Sequence, residues 1–157
     1  MKVDDPAGLK VIRRATVARI ATLSRNGRPS ITPIYFVYVH GHIWLGTSEW
    51  TLAAREVKVD PRVSVLFNLE RNPHDRRILR VTGQARVRTD LAVQRSYNVR
   101  VAFKYVLTPG GIRNYLTHLK QYQLMNQYHA QSAEKGLACV IDVTPEQAEF
   151  LNDNQPS

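Results

Sequence analysis

Thr47, Ser48 and Thr51 place three hydroxyls around the start of one short helical stretch, with Arg55 one turn further on. The run Leu45-Gly46-Thr47-Ser48 ends an apolar strand, and Trp50–Val59 reads as a helix stopped by Asp60-Pro61. The first turn of any helix leaves backbone N–H groups without partners. Hydroxyls beside such groups form a cradle for a phosphate. A sheet wall next to the cradle lets a small barrel hold a flat, phosphorylated cofactor.

Other reactive side chains are sparse. His40-Gly41-His42 has the look of a metal pair but sits in a hairpin turn without a third ligand. His74-Asp75 is equally bare. The one cysteine, Cys139, lies in the apolar run Ala138-Cys139-Val140-Ile141 and reads as a buried small hydrophobe. It has no partner for an internal disulfide, which predicts a cytoplasmic protein. Net charge is +9, from 22 basic and 13 acidic side chains. Arg71, Arg76, Arg77, Arg80, Arg86 and Arg88 crowd one stretch, a balance that favours an anionic partner. There is no consecutive basic run, no glycine-arginine repeat and no ring-stacking strand motif, which argues against nucleic acid.

The elements that must position these groups follow from periodicity. Residues 6–15 read as an amphipathic helix with Leu9 and Ile12 inward. Strands are expected at Val17–Leu23, Pro29–Val39, Ile43–Ser48, Val63–Asn68, Ile78–Thr89 and Leu137–Val143. Asn26-Gly27 predicts a tight hairpin with positive φ at both residues. Pro33 lacks the ladder donor, so it marks an edge or a bulge. In the fifth strand Leu79, Val81, Gly83, Ala85 and Val87 alternate with Arg80, Thr82, Gln84, Arg86 and Arg88, giving one apolar and one cationic face. Asp90 is expected to cap a helix over 91–105, Thr108-Pro109 to open another to about Tyr128, and Thr144-Pro145-Glu146-Gln147 to open a last short one. At 157 residues this is one domain, 1–157, with a helical insertion at about 91–135. The expected class is mainly β (α+β): a six-stranded antiparallel barrel, closed or nearly so, with flanking helices. Residues 1–15 lack the apolar core of a signal peptide, and no run reaches the ~18 apolar residues of a membrane span.

Several runs together resemble a known family. Ala18-Arg19-Ile20-Ala21-Thr22-Leu23, Asn26-Gly27-Arg28-Pro29 and Thr32-Pro33-Ile34-Tyr35-Phe36 are followed by Ile43-Trp44-Leu45-Gly46-Thr47, Asp60-Pro61-Arg62-Val63-Ser64-Val65 and Val81-Thr82-Gly83-Gln84-Ala85. In order and spacing they resemble the pyridoxamine 5′-phosphate oxidase-like split β-barrel family over about residues 8–90. The resemblance implies a homodimer that binds FMN, or the deazaflavin coenzyme F-420, at its interface. Carried onto this chain, the ring-side residues are Thr32, Pro33, Ile34 and Tyr35. The phosphate-side residues are Thr47, Ser48, Thr51, Leu52 and Arg55. One position departs: where the family's helix has a phosphate-gripping lysine, this chain has Ala53, and Glu56 stands for the usual asparagine. Ala53→Lys is therefore expected to tighten phosphate binding.

The resemblance implies an oxidoreductase acting on a small-molecule substrate, its catalytic residues unassigned because the cofactor carries the hydride chemistry. The arginine excess suits F-420, whose tail carries several carboxylates. A true pyridoxamine phosphate oxidase is disfavoured, because the C-terminal stretch Val143–Gln147 lacks the expected arginine and histidine pattern. Tyr35 is the expected ring neighbour, Trp50 a candidate cover for a planar ligand, and Tyr97, Arg100 and Tyr105 candidates to shape a pocket over the ring. The alternative is a non-catalytic cofactor- or haem-binding relative with a degenerate phosphate site, in which His118 or His129 would serve a haem.

Overall fold

The computed structural model describes residues 2–69, 72, 74–106 and 138–152. Helix α1 is Pro6–Arg14, with Asp5 accepting a cap bond from the Ala7 N–H at 3.0 Å. Strands β1 (Ala18–Leu23), β2 (Pro29–Ile34), β3 (Phe36–Val39) and β4 (His42–Ser48) follow, then helix α2 (Leu52–Val59). Strands β5 (Arg62–Asn68) and β6 (Ile78–Arg88) lead to helix α3 (Leu91–Val101), which relaxes into a π-helical turn over Ala102–Val106. Strand β7 is Ala138–Phe150. The expected helix from Thr108 to about Tyr128, and with it His118 and His129, lies outside the described residues.

Seven strands form one antiparallel sheet in the order β2-β1-β5-β6-β7-β4-β3. The two edge strands, β2 and β3, are consecutive in sequence and separated only by Tyr35. The sheet must therefore curl until its edges meet, which gives the split barrel. The expected strand Pro29–Val39 is thus two strands, and the count is seven rather than six. Pro33 pairs with Arg19 on edge strand β2, where its missing N–H does no harm.

Two further expectations are corrected. Asn26 does not take positive φ; Gly27 alone does, at 76°. The Gly27 N–H bonds the Ser24 carbonyl at 2.9 Å, closing an ordinary turn that glycine then re-aims into the strand. The tight turn with two positive φ values is His40-Gly41, at 47° and 84°. The stretch Thr144–Gln147 is strand, not helix. Gly83 opposes Pro145 at a bulge in the β6–β7 ladder, so Pro145 sits where a donor is dispensable. A Cβ at Gly83 would overlap the Thr144 carbonyl, so the bulge requires glycine here.

The barrel interior holds Ile20, Phe36, Ile43, Leu45, Val65, Phe67, Leu79, Val81 and Ile141, each at 0% exposure. Phe36 and Phe67 meet edge to face at 4.9 Å between centroids. Val11 and Ile12 of α1 and Ala53 and Val57 of α2 join the same core, so each helix is held by its apolar face. The alternation expected in β6 is observed: Leu79, Val81, Gly83 and Ala85 are buried between less buried polar neighbours. Helix α3 covers a second, smaller cluster of Val37, Val39, Trp44, Val93 and Val140 on the outer face of β3, β4 and β7. Among the described residues no helix is long and apolar enough to cross a membrane.

Candidate functional site

The hydroxyl cradle forms where β4 hands over to α2. The Thr51 hydroxyl donates to the Ser48 carbonyl at 2.8 Å and accepts from the Ala54 N–H at 3.4 Å, capping the helix. Thr47 Oγ1 lies 3.1 Å from Thr51 Oγ1. The N–H groups of Leu52 and Ala53, in the first turn, stay outside the helical ladder. The helix itself begins at Leu52 rather than Trp50, because Thr51 takes the cap. Arg55 and Leu52 are exposed and Ser48 is buried.

The cradle adjoins the break between the edge strands. The Gly46 N–H, one residue before Thr47, donates to the Tyr35 carbonyl at 3.3 Å. On β2, Pro33 is exposed, Thr32 is half-buried and Ile34 belongs to the core. Pro33 and Tyr35 therefore offer side chains outward, while Thr32 and Ile34 support them from within. The Tyr35 end of β2 and the Thr47–Thr51 turn are thus brought together by the Tyr35–Gly46 contact and the short connection from β4 to α2.

Two of the three residues expected to shape a pocket over this end also arrive there. The Tyr97 hydroxyl donates to the Tyr35 carbonyl at 3.2 Å. The Tyr105 ring meets Tyr35 edge to face at 5.0 Å, and its hydroxyl bonds the Phe36 carbonyl at 3.1 Å and the Thr16 carbonyl at 2.5 Å. Burial pushes the Tyr97 phenol up to about 12 and Tyr105 higher still, so both stay protonated donors. Arg100 instead bonds Ser96 at 3.2 Å on its own helix. Trp50 is exposed.

Lys104 was not singled out by sequence, which shows only an isolated lysine among aromatics. Its ammonium nitrogen lies 3.1 Å from the Phe36 carbonyl and 3.3 Å from the Phe36 ring centroid. Burial lowers its pKa to about 7, with no opposing carboxylate among the described residues.

Ala53, the position without the lysine, faces inward. It is 1% exposed and packed in the main core, so the side chain at this position starts from the core side of α2. Glu56, at the usual asparagine, is also turned inward at 6% exposure and accepts from the Ser30 hydroxyl at 2.9 Å.

The remaining reactive groups are engaged elsewhere. Asp142, 2% exposed, lies 2.8 Å from His42 Nδ1, 3.5 Å from Arg86 and 3.4 Å from Arg88. His42 thus has an acid beside it, supplied by β7 across the sheet. No group of three His, Cys, Asp or Glu that could hold a metal ion occurs among the described residues. Asp90 is the N-cap residue of α3 as expected, but its carboxylate pairs with Arg88 at 3.3 Å and makes no side-chain cap bond. Arg80 pairs with Glu149, so the arginines of the cationic face each meet a carboxylate. Cys139 is buried as expected, and burial raises its thiol to about 11. A groove of about 420 Å³ over Ala21, Ser64, Thr82 and Glu146 touches none of the predicted site residues.

None of the curated proteins matches the chain by sequence. Solved structures do match by fold. Rv2991, a conserved hypothetical protein from Mycobacterium tuberculosis, aligns with TM-score 0.68 and 18% identity over 96% of this chain and 85% of its own. A structure described as an F420 reductase aligns with TM-score 0.60 and 17% identity over 89% of this chain and 94% of its own. HutZ from Vibrio cholerae, described as a heme storage protein, aligns with TM-score 0.62 and 17% identity over 96% of this chain and 95% of its own. Such identities speak to fold alone. The model of the family described as pyridoxamine 5′-phosphate oxidase matches residues 5–152, nearly the whole chain. With the split barrel and its hydroxyl cradle in place, the chain belongs to the pyridoxamine 5′-phosphate oxidase family.

Proposed function

We propose that this protein is an oxidoreductase using FMN or coenzyme F-420, bound with its ring along Thr32–Tyr35 and its phosphate at Thr47, Ser48, Thr51, Leu52 and Arg55. One observation carries the reading: the Thr47 and Thr51 hydroxyls meet at the first turn of α2, a single residue from the Gly46 contact with Tyr35. Membership of the family and likeness to a structure described as an F420 reductase support it. The cofactor supplies the hydride chemistry. The chain's own part is to bind the phosphate through N–H groups and hydroxyls and to support the ring from the β2 edge. A cationic protein of net charge +9 suits an anionic cofactor. The proposal includes a homodimer, a small-molecule substrate and a cytoplasmic setting.

A non-catalytic carrier of a cofactor or haem is the second reading. It is favoured by the sealed Ala53, which leaves the cradle one cation short, and by likeness to a protein described as a heme storage protein. Loss of one charge-assisted phosphate contact costs about 1.5–3 kcal/mol, roughly 10–100-fold in affinity.

Titration of the purified protein with FMN and separately with F-420, followed by quenching of cofactor fluorescence, tests the proposal. Saturable quenching by one of them, weakened by Thr51→Ala, is expected. Quenching by neither, with haem bound instead, refutes the oxidoreductase reading in favour of the carrier.

A further inference from the structure

The ring of Tyr97 lies directly on Gly46. A Cβ at Gly46 would overlap its Cε1, Cζ and hydroxyl oxygen. Gly46 has no positive φ, so its backbone does not require glycine. What requires glycine here is the phenol ring resting on the strand. The Tyr97 hydroxyl then donates to the Tyr35 carbonyl, the same oxygen that accepts the Gly46 N–H. Tyr97 therefore fills a flat space bounded by Tyr35 on one side and the Gly46–Thr47 end of β4 on the other.

Helix α3, which brings Tyr97 in, has a small apolar anchor. Val93 is its one buried side chain, with Tyr97 and Val101 partly buried against the same cluster. Leu91, Val99 and Phe103 are exposed at 68%, 56% and 64%. Its remaining attachment is polar: Gln94 donates to the Ala138 carbonyl of β7 at 2.7 Å, while in the π-helical turn that follows Lys104 and Tyr105 bond the Phe36 carbonyl and the Phe36 N–H donates to Tyr105 at 3.3 Å. An element held by few buried apolar groups opens at lower cost than the core beneath it.

We propose that Tyr97 is a resident plug: its phenol occupies the slot over Gly46, and a planar aromatic ligand enters only when α3 swings away from β3 and β4. The identity of the ligand rests on the function proposed above; the docking of Tyr97 on Gly46 does not. The plug makes the ligand-competent form a minority of the molecules, and apparent affinity falls by that fraction. Removing the ring while leaving the strands intact raises the affinity.

Two arms test this on the full chain. In the first, hydrogen exchange is followed across residues 91–106 in the wild type and in Gly46→Ala, whose added methyl collides with the phenol. Faster exchange confined to this segment, with the barrel strands unchanged, is expected; unchanged exchange overturns the docking. In the second, FMN and F-420 are titrated into the wild type, Tyr97→Ala and Tyr97→Phe, with circular dichroism confirming that each is folded. About tenfold tighter binding by Tyr97→Ala is expected, with Tyr97→Phe close to the wild type because it keeps the ring. Equal or weaker binding by Tyr97→Ala overturns the plug while leaving the cofactor assignment intact. Binding of neither cofactor by any of the three overturns the cofactor assignment and the gating together.

Discussion

Lys104 makes a pH dependence that can be worked out from its surroundings. Its amine is held against the Phe36 ring and carbonyl, and burial lowers its pKa from 10.5 to about 7. The titratable group beside it is the phenol of Tyr105, which burial raises, so it stays neutral through this range. Between pH 7 and 9 the folded protein carries a neutral amine while the unfolded chain carries an ammonium. The unfolded state binds more protons, so stability rises with pH across this window. The cost of burying the charge is present in full below pH 7 and disappears as pH approaches the unfolded value. One proton's difference between the two states is worth about 1.4 kcal/mol for each pH step of one, so the gain from pH 7 to 9 is about 2 kcal/mol. The window stops at 9 because Cys139, raised to about 11, contributes with opposite sign above it. Urea unfolding at pH 7, 8 and 9 should show this gain in the wild type. Lys104→Met keeps the stem over Phe36 without the amine, and should be more stable than the wild type at pH 7 and flat from 7 to 9 by comparison. The same slope in both proteins would refute the argument, showing that the amine reaches solvent or finds a counter-charge.

Other perturbations follow from particular contacts. Gly83→Ala forces a methyl into the Thr144 carbonyl at the β6–β7 bulge and should destabilise the fold by about 1–3 kcal/mol in urea melts. Thr51→Ala removes the α2 cap and should cost about 1 kcal/mol of stability in addition to weakening cofactor binding. Ala53→Lys should lower stability in urea melts by more than about 2 kcal/mol, since it drives an ammonium into the core; unchanged stability with tighter FMN binding would show that the side chain escapes to the cradle.

Much of the fold was legible because it rests on local signals. The alternation of Leu79–Ala85, the stop at Asp60-Pro61 and the edge proline Pro33 are each properties of a few adjacent residues. The meeting of the Thr47 and Thr51 hydroxyls belongs with them, as the two lie four residues apart in the chain. The misreadings share one cause. Thr144-Pro145-Glu146-Gln147 carries a good helix-start pattern, yet the long β6 ladder captures it, and a bulge absorbs the proline. Asn26-Gly27 is the stronger tight-turn dipeptide, yet the register of β1 on β2 sets its geometry, while β3 and β4 impose positive φ on His40. Tertiary pairing outweighed local preference in both places.

The sequence by itself determined the β-rich class, the buried faces of its strands and the family, because period-two patterns and short-range spacing need no distant partner. Only the tertiary structure decided that Tyr35 joins the two edges of one sheet, that Ala53 faces the core, that Asp142 sits among three basic side chains, and that Tyr97 lies on Gly46. These depend on residues up to 100 positions apart, as in the His42–Asp142 pair. A spacing of that size has no periodicity to read; it exists only once hydrophobic burial has brought the strands together.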